Sequence, residues 1–190
     1  AIQILAIDLL AEIMPLTFLC FDPPGPEIMN RAPRSREEHV LDKTTGSEVL
    51  LLGVLIGVLG VANYGLYLFR NGLSLQMSDV GSLEYARAST MTWLTIGYCQ
   101  FVNILSWRYH YTSIFNRNII TNRILFGSIF VSIFLMLLGA YAPYVSDFLE
   151  FAGIGLTDWL FVWGAAAIFL GAWEGLKLYR RRRRHDRGKE

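Results

Sequence analysis

Charge is scarce in this chain: only 17% of its 190 residues are Asp, Glu, Lys or Arg, against about a quarter in a soluble domain. With 53% of residues hydrophobic, too little polar surface remains to make a water-soluble shell. Disorder is excluded as well, because a disordered chain needs low hydrophobicity and high net charge, and the net charge here is +1. Cysteine is nearly absent. Cys20 and Cys99 are the two present, which excludes a disulfide scaffold and most cysteine-based metal sites. His39, His110 and His185 all fall in loops or at helix ends, so none is placed to ligate a haem or chlorophyll at mid-membrane. There is no Gly-rich phosphate loop, Ser-His-Asp set or Cys/His cluster. No two-residue alternation supports a membrane barrel, and nothing points to nucleic acid.

What the chain has is five apolar runs: Ala1 to Phe21, about Val49 to Phe69, about Ala88 to Trp107, about Ile124 to Tyr141 and about Leu156 to Tyr179. Each approaches the roughly 20 residues that a helix needs to cross a bilayer core of about 30 Å. The fold class expected is all-α, a polytopic membrane bundle of five transmembrane helices. Residues 1–179 would form the membrane domain and 180–190 a basic cytoplasmic tail.

The basic residues sort by loop. Arg31, Arg34, Arg36 and Lys43 follow the first run; Arg108, Arg117 and Arg123 follow the third; Lys177, Arg180 to Arg184, Arg187 and Lys189 end the chain. If the runs alternate, 15 of the 17 basic residues lie on one side, with only Arg70 and Arg87 on the other. The positive-inside rule then places the C-terminus in the cytoplasm and the N-terminus outside. An integral protein of the plasma (inner) membrane is expected. The first residue already lies in an apolar run with no charged segment before it, as though something preceded it. Trp93, Trp107, Trp159 and Trp173 lie where interfacial anchors are expected, although tryptophan in a bundle core is also common.

Charge inside a membrane helix costs at least about 2.5–3.5 kcal/mol per residue. Asp8 and Glu12 bear it on the first run, spaced i, i+4 on one face, with Pro15 three residues on. Proline removes a backbone donor and frees carbonyls, so two carboxylates beside freed carbonyls make a candidate hard-cation, or metal, site. The alternative is one protonated and one solvated acid near the helix end. Gln100 and Asn103 on the third run either line the same path or act as interhelical glue. Glu174 and Lys177 read as an i, i+3 interfacial pair. Small residues at Gly53, Gly57, Gly60, Gly164 and Gly171 suggest close helix packing, against each other or a partner.

Asp22-Pro23-Pro24-Gly25-Pro26-Glu27-Ile28-Met29-Asn30-Arg31-Ala32-Pro33-Arg34 closely resembles the Pro-Pro-x-x-x-Ile-Met-x-Arg-x-Pro-Arg signature of P-type cation-transporting ATPases. Gln3 to Pro15 is similar to that family's sixth membrane helix, Thr90 to Asn103 to its eighth, Asn122 to Pro143 to its ninth and Leu156 to Lys177 to its tenth. The resemblance implies that Asp8, Glu12 and Gln100 are cation ligands, with Asn103 a further candidate. It implies that Arg31 and Arg34 belong to a loop touching the phosphorylation domain. Two departures stand out. Leu10 and Ala11 replace the family's usual Gly-Thr or Val-Thr between the acidic positions, so the threonine oxygen is lost and Leu10 is expected to resist unwinding. Gly97 stands where calcium and sodium-potassium pumps have Glu or Gln. Leu41-Asp42-Lys43-Thr44-Thr45-Gly46 is not the family's phosphorylated Asp-Lys-Thr-Gly-Thr, and alone the chain is no ATPase. No cofactor is expected beyond a cation.

Two functions follow. One is the membrane, ion-path half of a P-type pump, with the remaining helices, the cytoplasmic domains and the lipid bilayer as partners. The other is a pump-derived relic serving as a structural subunit among other membrane proteins.

Overall fold

The computed structural model describes residues 2–23, 43–73, 82–109, 113–115 and 121–187, with the side chains of 43–44 and 183–187 left aside. The described chain is helical and contains no strand. Helix α1 spans Ile2–Leu19. Its middle, Asp8–Glu12, is a π-helical turn between α-helical Ile2–Ile7 and Ile13–Leu19. Then come α2 (Lys43–Arg70), α3 (Leu83–Trp107), α4 (Arg123–Tyr141), the short α5 (Pro143–Leu149) and α6 (Leu156–Arg187). The apolar runs read from sequence coincide with the long helices to within a few residues, apart from the added N-terminal turns of α2 and α3 and the C-terminal extension of α6. The short α5 was not foreseen.

Four helices, Ile2–Leu19, Thr45–Arg70, Arg123–Tyr141 and Leu156–Arg182, are long and apolar enough to cross a membrane. The fifth long helix, α3, is more polar and sits in the middle. It buries Tyr85, Met91, Trp93, Leu94, Phe101 and Ile104, and α2, α6 and α1 pack around it. Its threonine hydroxyls are satisfied within the helix: Thr90, Thr92 and Thr95 donate to the carbonyls of Ala86, Ala88 and Met91, four residues back. A central helix shielded by its neighbours tolerates such groups where a lipid-facing one would not. The outer helices show the reverse pattern, leaving Leu50, Val61, Phe130, Phe134, Leu160 and Ile168 more than half exposed.

Ion pairs gather at the two ends. At one, Arg108 grips Asp22 through Nε and Nη2 at 2.8–3.1 Å, Arg180 pairs with Glu48, and Asn122 both caps α4 and donates to the Phe18 carbonyl. At the other, Arg70 meets Asp158 at 2.9 Å and Arg87 meets Glu84 at 3.0 Å. Ends of α1 and α3 thus lie with starts of α2 and α4, so the long helices run alternately up and down.

Two packing expectations that left alternatives open are narrowed. Trp93 and Trp173 are core residues rather than anchors, 2% and 0% exposed. Their indole N–H groups donate to the Gln3 carbonyl and to Asn103 Oδ1, which lets each ring be buried without an unpaired donor. Gly53, Gly57, Gly164 and Gly171 face open space, and only Gly60 of the stripe touches a neighbouring helix, at Thr92 and Ile96. The close approaches come instead at Gly97, against Met136, and at Gly139, against Trp93 and Leu10.

Candidate functional site

The two carboxylates bracket the π turn. Ile13 N–H donates to the Asp8 carbonyl, five residues back, where an α-helix would reach four. Pro15 supplies a local cause: it offers no N–H to the Ala11 carbonyl, and its ring crowds that carbonyl. The helix responds by widening. It does not unwind, in keeping with the bulk of Leu10, yet the widened turn leaves carbonyls without the usual partners at the level of Asp8 and Glu12. π turns of this kind recur at functional sites.

Burial gives the turn two faces. Ile7, Ala11 and Pro15, four residues apart, are buried and point into the bundle. Ala11 lies 3.8 Å from the position a Gly97 Cβ would take. Leu10 packs at Gly139. On the other side Asp8 is exposed and Glu12 half-buried. Around them Ile4, Leu5, Leu9, Ile13 and Leu16 are 44–68% exposed. An apolar helix face carrying Asp8 therefore points away from the other described helices, with Glu12 at its half-buried edge.

Gln100 and Asn103 form a separate group. Asn103 Nδ2 donates to Gln100 Oε1 at 3.2 Å, and Asn103 Oδ1 accepts from Trp173 Nε1 at 3.1 Å. This ties α3 to α6. No hydrogen bond or ion pair links these amides to Asp8 or Glu12 among the described residues. Nor does any group of three or more His, Cys, Asp or Glu side chains come together there. A hard cation such as calcium takes six to eight oxygens, so the two carboxylates fit as part of such a site and leave most of the coordination sphere to other groups. Glu174 and Lys177 pair at 3.6 Å, and Glu174 also accepts from the backbone N–H of Ile114, after α3. Arg31, Arg34 and Asp42 lie outside the described residues, while Lys43 to Gly46 form the first turn of α2.

Sequence reading passed over Asn63. It is buried two turns before the end of α2, donating to Thr95 Oγ1 at 2.7 Å and to the Phe161 carbonyl at 3.3 Å, and so joins α2, α3 and α6. A lone amide within an apolar run was the available signal.

A family model described as "Cation transporting ATPase, C-terminus" matches residues 1–179. Among curated proteins, the chain is 26% identical over 170 residues to calcium-transporting ATPase 1 of Bacillus cereus, covering 85% of this chain and 19% of that protein. It is 28% identical over 183 residues to calcium-transporting ATPase 1 of Schizosaccharomyces pombe, covering 96% and 19%. To the endoplasmic reticulum calcium ATPase srcA of Aspergillus fumigatus it is 24% identical over 201 residues, covering 95% and 21%. The chain thus spans about a fifth of the length of these relatives.

Proposed function

The chain belongs to the cation-transporting ATPase C-terminal family, and on that premise we propose that it forms one half of the ion path of a P-type pump whose ATP-hydrolysing domains lie outside these 190 residues. All five long helices cross the membrane in this reading, with the Arg180 end cytoplasmic and the start of α1 outside. The single observation that carries the reading is the acidic face at the π turn. Two carboxylates facing lipid would each cost at least about 2.5–3.5 kcal/mol. Further helices of the pump covering Asp8, Glu12 and the apolar residues around them remove that cost and complete the cation's oxygen shell.

Asp8 and Glu12 supply negative charge and up to four oxygens. The widened turn supplies carbonyls, and Ala11 anchors it against α3 and α4. Gln100 and Asn103 have a lesser part: while Asn103 holds Trp173, ligation by the amides requires breaking the tie to α6. The names of the relatives make calcium the first cation to test. Arg31 and Arg34 are assigned to contact with the phosphorylation domain.

In the complete pump, Asp8→Asn and Glu12→Gln should each abolish cation-dependent phosphorylation by ATP while leaving expression intact. Unchanged cation dependence in both would overturn the reading. The relic alternative predicts fixed-stoichiometry copurification with unrelated membrane proteins and no ATPase head; the family match and the relatives favour the pump.

A further inference from the structure

Two cavities share Thr157 at the start of α6, at the end of the bundle opposite Arg180. One, about 510 Å³, is apolar and lies between α3, α4 and α6, with Tyr98, Leu137, Leu160 and Trp163 in its wall. The other, about 390 Å³, is polar and holds Arg70, Arg87, Asn71 and Asp158. Each is of the size that ligand sites commonly have.

Their depths in the membrane differ in an informative way. Arg70 lies in the last turn of α2, Arg87 in the second turn of α3 and Asp158 in the first turn of α6. These are helix ends, at headgroup level in a membrane bundle. The apolar cavity starts beside them and runs along α6 through Trp159, Leu160 and Trp163, toward the hydrocarbon. Aromatic residues mark the boundary. Trp159 Nε1 donates to Tyr141 Oη at 2.8 Å, and that hydroxyl donates to the Ile154 carbonyl. A polar pocket at headgroup level that opens beside an apolar cavity at acyl-chain level has the shape of an amphipathic ligand.

Spare donors select the head. The polar pocket's walls carry two guanidiniums and one carboxylate, and with Glu84 on Arg87 each guanidinium has one acid partner. Arg70 is 32% and Arg87 38% exposed along the side chain. Each is held by one carboxylate through a single Nη1 contact. A guanidinium has five donors, so each keeps N–H groups beyond that bond, in the geometry that suits phosphate oxygens.

We infer that this pair of cavities is a phospholipid site, with the headgroup phosphate between Arg70 and Arg87 and one acyl chain in the cavity beside Trp163. The occupant comes from the leaflet opposite the basic end. The site depends on the chain being a membrane protein and not on the ion-path assignment, so either can fail alone.

Native mass spectrometry of the protein extracted in mild detergent, with phosphatidylglycerol added, tests it. One lipid should be retained per chain after the detergent is stripped. Arg70→Gln with Arg87→Gln should lower retention about 10-fold or more, as loss of charge-assisted hydrogen bonds does; Arg123→Gln, at the other end, should not. Thr157→Trp, which fills the shared wall and keeps both ion pairs, should lower it equally, and this variant decides the matter if the double arginine variant does not fold. Diacylglycerol, with tails but no phosphate, and glycerol phosphate, with the phosphate but no tails, should each be retained far less. Retention unaffected by Thr157→Trp, or equal retention of diacylglycerol, would overturn the proposal.

Discussion

Gly97 offers a perturbation whose sign depends on its neighbour. A Cβ built there lies 2.2 Å from Met136 Cε and 2.7 Å from Met136 Sδ, where ordinary contact begins at 3.4 Å. Met136 is fully buried, so its thioether must move by more than 1 Å within a packed core. Overpacking of this kind costs about 1–3 kcal/mol. Alanine also gains about 0.5–1 kcal/mol over glycine inside a helix. The net expectation for Gly97→Ala is a loss of up to about 2.5 kcal/mol. In a Met136→Ala background the obstacle is gone, although that change alone costs about 2–5 kcal/mol through its cavity. There Gly97→Ala should stabilise by about 0.5–1 kcal/mol. Thermal melting and denaturant titration of the four variants in one detergent give the coupling directly. Because Ala11 sits at the same junction, the single variant should also weaken cation affinity by moving the π turn. Additive effects, or a stabilising Gly97→Ala in the wild-type background, would refute the packing account.

Asp22→Ala removes the bidentate partner of a guanidinium whose side chain is 1% exposed, and should destabilise by about 3 kcal/mol. Arg108→Ala leaves a carboxylate that water reaches, and should cost less in the same denaturant titration. Asn63→Leu removes the shared link of α2, α3 and α6 and should cost about 0.6–2 kcal/mol by thermal melting. Glu150 is the one non-glycine at positive φ among the described residues, at φ 56° where α5 ends. Glu150→Gly should raise stability by up to about 1 kcal/mol, seen as a melting temperature a few degrees higher. Asn103→Leu leaves the Trp173 N–H unpaired and should lower stability by about 1–3 kcal/mol; if cation affinity falls while melting is unchanged, the amide is a ligand and not a tie.

The helices and the acids were legible in one dimension. Which residues must leave water, and for how long a stretch, depends on local composition alone, so the run from Leu156 to Tyr179 became a helix at the same start. The positions of Asp8, Glu12 and Pro15 were likewise plain, because charge and proline stand out in an apolar run. Their surroundings were not. Pro15 marks where the helix must give way, but which neighbours the widened turn meets, Leu10 at Gly139 and Ala11 beside Gly97, is set by other helices. The same holds for α3. Its amides read equally as path-lining groups or as interhelical glue, and the neighbouring helices make it the shielded centre, with Asn103 engaged by Trp173. Even the glycines changed meaning, since a small residue matters only where another backbone or side chain arrives. Apolar length and fixed charge belong to the chain alone and determined that this is a membrane helix bundle with an acidic pair. Facing belongs to pairs of helices, and only the packed structure decided that Asp8 is exposed and Glu12 half-buried, on a face of α1 turned away from the other described helices.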